Sequence, residues 1–528
     1  EPGGHVMVHQ SGSAQVSSVE FYKMGQAGIM ARYPFHWHRI GNTSGQYIMN
    51  SSIHNSFQRC ITVHATNNTT VENNVCYNFH GHGYFLEDGV ETGTVIKHNI
   101  GVWARLPHTS KILLASDDRS QSTDLRFPAT SVFWISHPQN TVIGNIAAGS
   151  MGTGFWNVFE TNSVKLPTTA FNNNTAHSTL VGHTWDGAPN PTELSNNPNN
   201  YADRKLANAH YSPPTATVFN KIVAYKNSQS GIYFRGGSAI FTEALLADNM
   251  WSLFLAYNQI FKDTIIVGQS QYVAPNKPKH SGVILYDGPF ELENVDFYNF
   301  NNQPTAATLG EHLDYVPFYV IGGSEKFVNT TKNLRFIPQV NFKFLLEPVN
   351  DPWKDKIVTQ AIRDQDGSLT GIVGGLVLPK NEISSDSTCV VKNEFIGARV
   401  CPQSTQLGIF MLASLQYGGI SGVQLPFVIR KNETYSSITD ADVNEIRSGV
   451  GATLNAKFAA MIKPENKYDL IFSDDFSQRN KVNDVWIRFY TEGSPGMAQI
   501  LKIKNYGSNC VLSNATQVSS LADLATAT

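Results

Sequence analysis

The chain has 528 residues, 15% of them charged, and a formal net charge of -3. That length exceeds one compact core, so two domains, or an elongated repeat domain plus another, are expected. The near-neutral balance leaves no electrostatic footprint for nucleic acid or an anionic membrane. No run approaches the roughly 18 continuous apolar residues of a spanning helix, so no transmembrane segment is expected in this chain.

The opening residues, Glu1-Pro2-Gly3-Gly4-His5, carry no charged-then-apolar leader, and the chain reads as a processed or excised piece. Next comes Arg32-Tyr33-Pro34-Phe35-His36-Trp37-His38, whose two histidines at i and i+2 share one side of a strand. A related strand, Cys60-Ile61-Thr62-Val63-His64, returns 23 residues later as Gly83-Tyr84-Phe85-Leu86-Glu87. Further versions are Gly154-Phe155-Trp156-Asn157-Val158 and Gly231-Ile232-Tyr233-Phe234-Arg235. Between them lie short Asn-led alternations such as Asn74-Val75-Cys76-Tyr77-Asn78 and Asn145-Ile146-Ala147-Ala148-Gly149. A period near 23 built only from short strands predicts a parallel β-helix. The Leu-x-x-Leu-x-Leu framework of leucine-rich repeats is absent, and a period of two rules out helical repeats.

Alternation assigns the faces. With the leading residue at zero, positions one and three (Ile61/Val63, Tyr84/Leu86, Ile232/Phe234) are apolar and face the core. Positions two and four then form a water-facing wall with Phe85, Trp156 and Tyr233 among ionisable groups, and exposed rings in a row suit sugar faces. Aligning Phe35 and Trp37 as core residues puts His38 in register with His64 and Glu87. Asp186, after Gly182, and Arg235 share the wall. Excursions between Trp103 and Thr130, holding Asp117 and Asp118, and between Asn190 and Ala216 interrupt the period and flank its groove.

After about residue 340 the pattern changes, which sets a β-helix over 1–338 and a β-rich, sandwich-like domain over 339–528. The latter holds helix-like stretches at Asp440 to Arg447 and Thr453 to Ile462. Five cysteines are too few for a disulfide scaffold. Cys389 and Cys401 are spaced for a local bridge, whereas Cys60 and Cys76 read as packed repeat positions. Asp364-Gln365-Asp366-Gly367-Ser368 opens like a calcium loop, but Gly375 stands where an EF-hand needs Glu, so a tight acidic turn is expected.

Coils stack about 4.8 Å apart, so His38, His64 and Glu87 can converge on one divalent metal ion. Two imidazoles and a carboxylate suit zinc better than calcium. His36, His80, His82 and Asp88 stand near as further ligands or proton carriers; the bland alternative is a ladder of hydrogen-bonded histidines. Glycoside hydrolysis needs two carboxyls about 5–9 Å apart, and Glu87 is the first choice for one. Asp186 lies too many coils away to be its partner and is read as a substrate contact. Arg235, with Arg32, Arg39 and Lys111 nearby in sequence, can pair with uronate carboxylates.

These motifs, with Glu87-Asp88-Gly89, Thr153-Gly154-Phe155-Trp156, Asn173-Asn174-Thr175-Ala176-His177-Ser178 and Asp364 to Gly371, resemble the family of cell migration-inducing hyaluronan-binding proteins and transmembrane cell-surface hyaluronidases. The similarity runs in order through most of residues 1–375 and fades towards the C-terminus. It implies an all-β, right-handed parallel β-helix in an extracellular, secreted or cell-surface protein that binds and depolymerises hyaluronan, with calcium implicated and a G8 module preceding the helix. Sequons such as Asn42, Asn68 and Asn173 permit glycosylation. The combined expectation is a hyaluronidase-like endoglycosidase. Its catalytic residues are Glu87, Asp88, His64 and His38; its substrate contacts are Phe85, Trp156, Asp186, Tyr233 and Arg235; its metal ligands are His38, His64, Glu87 and His36. A β-elimination lyase and a non-catalytic glycan-binding adhesin are the alternatives.

Overall fold

Strands of three to six residues between Asn and Gly turns cannot bury a face alone, and this chain solves the problem by stacking them. The computed structural model describes residues 3–118, 129–159, 163–186, 211–256, 258–271, 281–286, 289–300, 316–320, 328–346, 360–379, 384, 386–414, 427–431, 457–462, 468–472 and 485–491. A first sheet of 13 parallel strands runs from Val6–His9 through Phe35–Asn42, Ile61–Asn67, Tyr84–Leu86, Ser131–Ile135, Thr153–Asn157, Val181–Trp185 and Ser230–Arg235 to Phe395–Ile396. The expected spacing holds: Ile61 faces Tyr84, 23 residues on. The excursions also fall where the period broke, between Tyr84 and its partner Phe133, and between His183 and Ile232.

Remaining coil faces form a second sheet of short parallel strands in two stacks. One includes Tyr47–Met49, Thr70–Glu72 and Val95–Lys97; the other includes Ser52–His54, Val75–His80 and Ile100–Arg105. The stacks merge where strands lengthen, in Gln259–Val267, Phe290–Tyr298 and Val328–Ile337.

The interior is a set of columns. Tyr84, Phe133, Phe155 and His183 stack in register with centroids 4.6, 4.5 and 4.8 Å apart and nearly parallel planes. A second column is polar. Asn74, Asn99, Asn145 and Asn174 are fully buried, and each side-chain oxygen accepts the backbone N–H of the corresponding residue one coil before, at 2.9–3.1 Å. Their amide groups donate to Ile48, Val71, Ile96 and Val142 carbonyls at 2.8–3.0 Å. This ladder satisfies the bend's backbone, which otherwise carries unpaired buried groups, and it is why Asn leads so many coils.

The helix extends past the boundary drawn at 338. Val328–Ile337 pairs in parallel with Ala361–Asp364, which is followed by the antiparallel strands Gly375–Pro379 and Ala398–Cys401. The first compact unit accordingly holds Glu1–Asn350, Gln360–Lys380 and Ser387–Gln403. The Asp364 loop is the expected acidic turn: its carboxylate accepts the N–H groups of Gly367, Leu369 and Thr370 and the Thr370 hydroxyl. Cys389 and Cys401 are bridged, and so, against the sequence reading, are Cys60 and Cys76.

The second unit holds Asp351–Thr359, Asn381–Asp386 and Ser404–Thr528. Its described part is antiparallel, with Gly408–Ser414 between Lys457–Ile462 and Val485–Thr491, and Phe427–Lys431 paired with Tyr468–Phe472. Lys457–Ile462 is thus a strand rather than the end of a helix, its backbone pairing antiparallel with Gly408–Ser414. Asp440 to Arg447 lies outside the described residues.

Removing one ladder member orphans donors and acceptors in two coils. Asn99→Ala is expected to lower unfolding free energy by about 2–4 kcal/mol, read from the urea midpoint; a change within 0.5 kcal/mol, to order of magnitude, contradicts the ladder's role. The stacked His183 supplies a second test, because burial lowers its pKa to about 4, outweighing the hydrogen bond to the Val223 carbonyl. The unfolded chain binds the proton first, near pH 6.5, so stability falls as pH drops from about 6.5 to 4, by on the order of 3 kcal/mol. His183→Phe, which keeps the ring stack, is expected to flatten that part of the pH–stability curve.

Candidate functional site

Register delivers the trio as the alternation predicted. Phe35 and Trp37 point inward and fully bury, which turns His36 and His38 to the opposite side of the strand. His38 pairs directly with His64, and Leu86 pairs with Val63, so Glu87 follows in the same column.

Three imidazoles meet there. One nitrogen from each of His36, His38 and His64 lies within 4.8 Å of the others. Ring centroids are 5.0 Å apart for His36–His38, 4.7 Å for His38–His64 and 5.9 Å for the stacked pair His36–His64. Glu87 Oε2 stands 3.9 Å from His36 Nε2 and 3.6 Å from His64 Nδ1. Four buried atoms, His36 Nε2, His38 Nδ1, His64 Nδ1 and Glu87 Oε2, have no hydrogen-bond partner. Other buried atoms also lack a partner, but these four belong to one cluster in which three imidazoles and a carboxyl converge, the arrangement expected of a site for an ion or ligand.

The outer nitrogens explain how the inner ones are aimed. His36 Nδ1 lies 3.2 Å from the Ala31 carbonyl, to which it donates, leaving Nε2 as a lone pair. His64 Nε2 lies 2.8 Å from Asp88 Oδ2, leaving Nδ1 as a lone pair. A carbonyl and a carboxylate fixing the far nitrogen is how metal-binding imidazoles are oriented. The set fits a first-row transition ion, which takes imidazole nitrogen, and fits calcium poorly, which takes oxygen.

Electrostatics follow burial. Desolvation lowers the His36 pKa to about 3 and also lowers that of His38. Burial pulls His64 down as well, but Asp88 and Glu87 outweigh it and its pKa is raised. Burial lifts the Glu87 carboxyl to about 7, against the opposing pull of His64 and Arg59. Tyr33, whose hydroxyl points at Glu87 Oε1 from 3.5 Å, is held far above its ordinary value, first by burial and then by the Glu87 charge. Glu87 is therefore a carboxyl that can hold or release a proton near neutral pH.

The wall, however, does not face water. Phe85, Trp156 and Tyr233 are buried at 1, 0 and 3% exposure. Phe85 and Trp156 join Tyr33, Leu113, Leu114, Trp134 and Val158 in one cluster, with Met30 against it. Tyr233 packs with Val181, Phe254 and Ile284 in another. All three point outward, as alternation requires, yet Phe85 and Trp156 lie under the segment of Leu113 and Leu114, and Tyr233 packs among neighbours on its own sheet face; they are packing residues rather than exposed sugar platforms. Asp186 is buried too, 3.8 Å from Arg235. Three strand spacings separate it from Glu87, about 14 Å.

Sequence reasoning missed what holds the cover down. Arg59, fully buried, donates two hydrogen bonds to Asp117 at 3.1 and 3.0 Å and lies 4.1 Å over the Phe85 ring. Despite burial, the Arg59 guanidinium keeps the Asp117 carboxyl below its usual range. His82 sits beneath, bonded to the Ser131 and Ser116 hydroxyls, and His80 bonds the Ser56 carbonyl; neither is a ligand of the trio. Asp117 thus anchors the excursion, and only its position directly after a period break hinted at this. Arg32 reaches His5 at 2.6 Å, while Arg39 and Lys111 are exposed.

Comparison with known proteins agrees with this architecture. Residues 1–184 match the family model described as CEMIP beta-helix. The human protein named Cell surface hyaluronidase CEMIP2 is 28% identical over 457 residues, covering 70% of this chain and 32% of that one. The mouse Cell migration-inducing and hyaluronan-binding protein is 28% identical over 488 residues, covering 75% and 35%. The Danio rerio Cell surface hyaluronidase is 30% identical over 330 residues, covering 54% and 24%. The chain therefore spans about a third of the length of such relatives. By the family match and these identities, residues 1–184, which hold the three histidines and Glu87, are a β-helix of the CEMIP family.

Proposed function

We propose that the chain is an extracellular glycan-active β-helix that binds and depolymerises hyaluronan or a related uronate-bearing glycosaminoglycan. In this reading His36, His38 and His64 hold a divalent transition-metal ion, and Glu87 is the acid–base group. The observation that carries it is the set of four unpartnered buried atoms, His36 Nε2, His38 Nδ1, His64 Nδ1 and Glu87 Oε2. The substrate class comes from the names of the relatives.

A metal ion bound by the trio supplies Lewis acidity and lowers the pKa of a bound water. The chain's own residues do the rest. Ala31 and Asp88 hold His36 and His64 so that their inner lone pairs converge. Asp88 is therefore a positioning residue, and Glu87 keeps one buried oxygen without a hydrogen bond. With its pKa near 7, Glu87 is suited to general acid or base work at neutral pH. Access comes from the edge where His38, His64 and Asp88 are part-exposed.

Hydrolysis and β-elimination differ in what they require. Hydrolysis uses two carboxyls flanking the bond, whereas elimination uses one base for the C5 proton and a cation facing the uronate carboxylate. Here Asp88 is engaged by His64, and Glu91 accepts the backbone N–H groups of Ala65, Asp88, Gly89 and Val90. Asp117 is engaged by Arg59. Among these described carboxyls, Glu87 is the one left beside the cation site, which favours elimination as the second reading.

Glu87→Gln is expected to cut depolymerisation by about 10²–10⁴-fold with hyaluronan affinity retained. Polymer length and retention on the immobilised polymer are measured together; a parent protein that binds but never shortens the polymer, metals added, establishes the adhesin instead. Ultraviolet absorbance from an unsaturated uronate in the products identifies elimination, and its absence with new reducing ends identifies hydrolysis. Independently, elemental analysis of protein made without a histidine tag is expected to find about one transition-metal ion per chain, lost in His38→Ala/His64→Ala. No bound metal in the parent, and no thermal shift on adding zinc or manganese, sinks the metal assignment.

A further inference from the structure

The water-facing aromatics that the sequence suggested for the histidine wall exist, but elsewhere. Tyr22, Tyr77 and Trp103 are exposed at 51, 42 and 44%, the rings of Tyr22 and His54 lie 5.0 Å apart, and those of Tyr77 and Trp103 lie 6.1 Å apart. The second sheet lines them up, since Tyr22 pairs with His54, His54 with Tyr77, and Tyr77 with Val102 immediately before Trp103. Four rings on four successive coils thus run along the helix axis for about 14 Å.

Backbone conformation marks Trp103 as an expensive choice. It occupies the left-handed turn position that other coils fill with Asn55, Asn78, Gly149, Ser178, Lys226 and Asp248, all at positive φ. A bulky residue at φ +64 is strained there, and it stays 44% exposed. Cations sit on the ends of the strip. Lys23 lies 5.2 Å from the Tyr22 ring centre, and Arg105 lies 5.2 Å from that of Trp103 while donating to Asn78. Glu20, the acid beside the strip, is taken up by His54 at 2.7 Å. Beyond Trp103 the same turn continues at Gly149 into a shallow polar groove of about 360 Å³, lined by Met151, Ser178 and Lys226 among others.

We propose that this edge, Tyr22–His54–Tyr77–Trp103 with Lys23 and Arg105, is a second, non-catalytic binding strip for an extended anionic polysaccharide lying along the helix axis. Ring faces take the apolar faces of the sugars, the two cations take carboxylates, and the Ser-lined groove takes hydroxyls of the continuing chain. A folded protein partner fits less well: the strip is a narrow line of rings broken by paired polar groups, without the contiguous apolar centre of a protein interface. The strip stands apart from the histidine trio, so it holds polymer without touching the reacting atoms.

The test measures binding apart from cleavage, by affinity electrophoresis of the chain through gels containing high-molar-mass hyaluronan or uncharged dextran. Tyr77→Ala/Trp103→Ala is expected to lower retention in hyaluronan by about five-fold or more, to leave mobility in dextran unchanged, and to keep the parent's thermal midpoint. Trp103→Phe is expected to restore most of the retention. Equal retention of parent and double variant overturns the proposal; so does equal retention with a fall from dimer to monomer by light scattering, which makes the edge a self-association surface. A chain that cuts hyaluronan but ignores the double substitution defeats the strip alone. One that never cuts, yet loses retention on substitution, supports the strip and defeats the catalytic reading.

Discussion

Backbone hydrogen bonds hold each coil against the next without slippage, and the column of His38, His64 and Glu87 exists because of that registration. A slip of one residue in a strand exchanges its two faces, which here would drive His36 and His38 inward and expose Phe35 and Trp37. Two interior devices oppose such a slip. The buried asparagines each recognise the backbone of the preceding coil, and the stacked rings at Tyr84, Phe133 and Phe155 tie coils 22 to 49 residues apart. Local choices of Asn and aromatic residue therefore determine a geometry that only matters on the other side of the sheet.

Registration alone yields a row of surface histidines. The cover makes it a site. Leu113 and Leu114 close over Phe85, Trp134 and Trp156, and the Arg59–Asp117 pair fastens that excursion to the coil beneath. Burying an ion pair recovers little net free energy unless its geometry is good and its remaining groups are satisfied. The bidentate contact meets the first condition, and His82 and the Phe85 ring pack against the pair, while Arg59 Nε is left without a hydrogen bond. Low dielectric then acts on everything nearby: it depresses His36, lifts Glu87 and leaves four polar atoms short of partners.

Period, alternation and the convergence of His38, His64 and Glu87 were legible in the sequence because each depends on spacing within a coil. What was not legible depends on another part of the chain. Alternation states that Phe85 and Trp156 leave the coil interior, but not that residues such as Tyr33 or Leu113 will lie on top of them. The same blindness hid Tyr33 and Arg59, which look like ordinary flanks of a histidine motif and a repeat strand. The cap of the helix was missed because Ala361–Asp364 adds to the parallel stack after an interruption, so residues beyond 338 read as a different pattern. Exposed rings were assigned to the wrong sheet for a related reason: Trp103 departs from its strand at a left-handed turn, and no period-two rule predicts its direction.

Two properties proposed for Glu87 compete, and their competition sharpens the chemistry. Its carboxyl sits near 7 only while its neighbourhood is apolar and the imidazoles are neutral. A cation held by His36, His38 and His64 favours the ionised form and pulls that pKa down. On the proposed reading a metal-loaded chain thus presents Glu87 as a carboxylate at neutral pH, a base before it is an acid. Tyr33 keeps its proton under either condition, since burial and the Glu87 charge both oppose its ionisation. A protonated hydroxyl 3.5 Å from Glu87 Oε1 and 3.1 Å from Met30 Sδ is a fixed dipole beside the carboxylate. On the proposed reading Tyr33 thus orients Glu87 and does not give up a proton, because everything that lifts its pKa also makes it a poor acid. Glu87 is then the base, and the proton the leaving group needs comes from outside this buried pair.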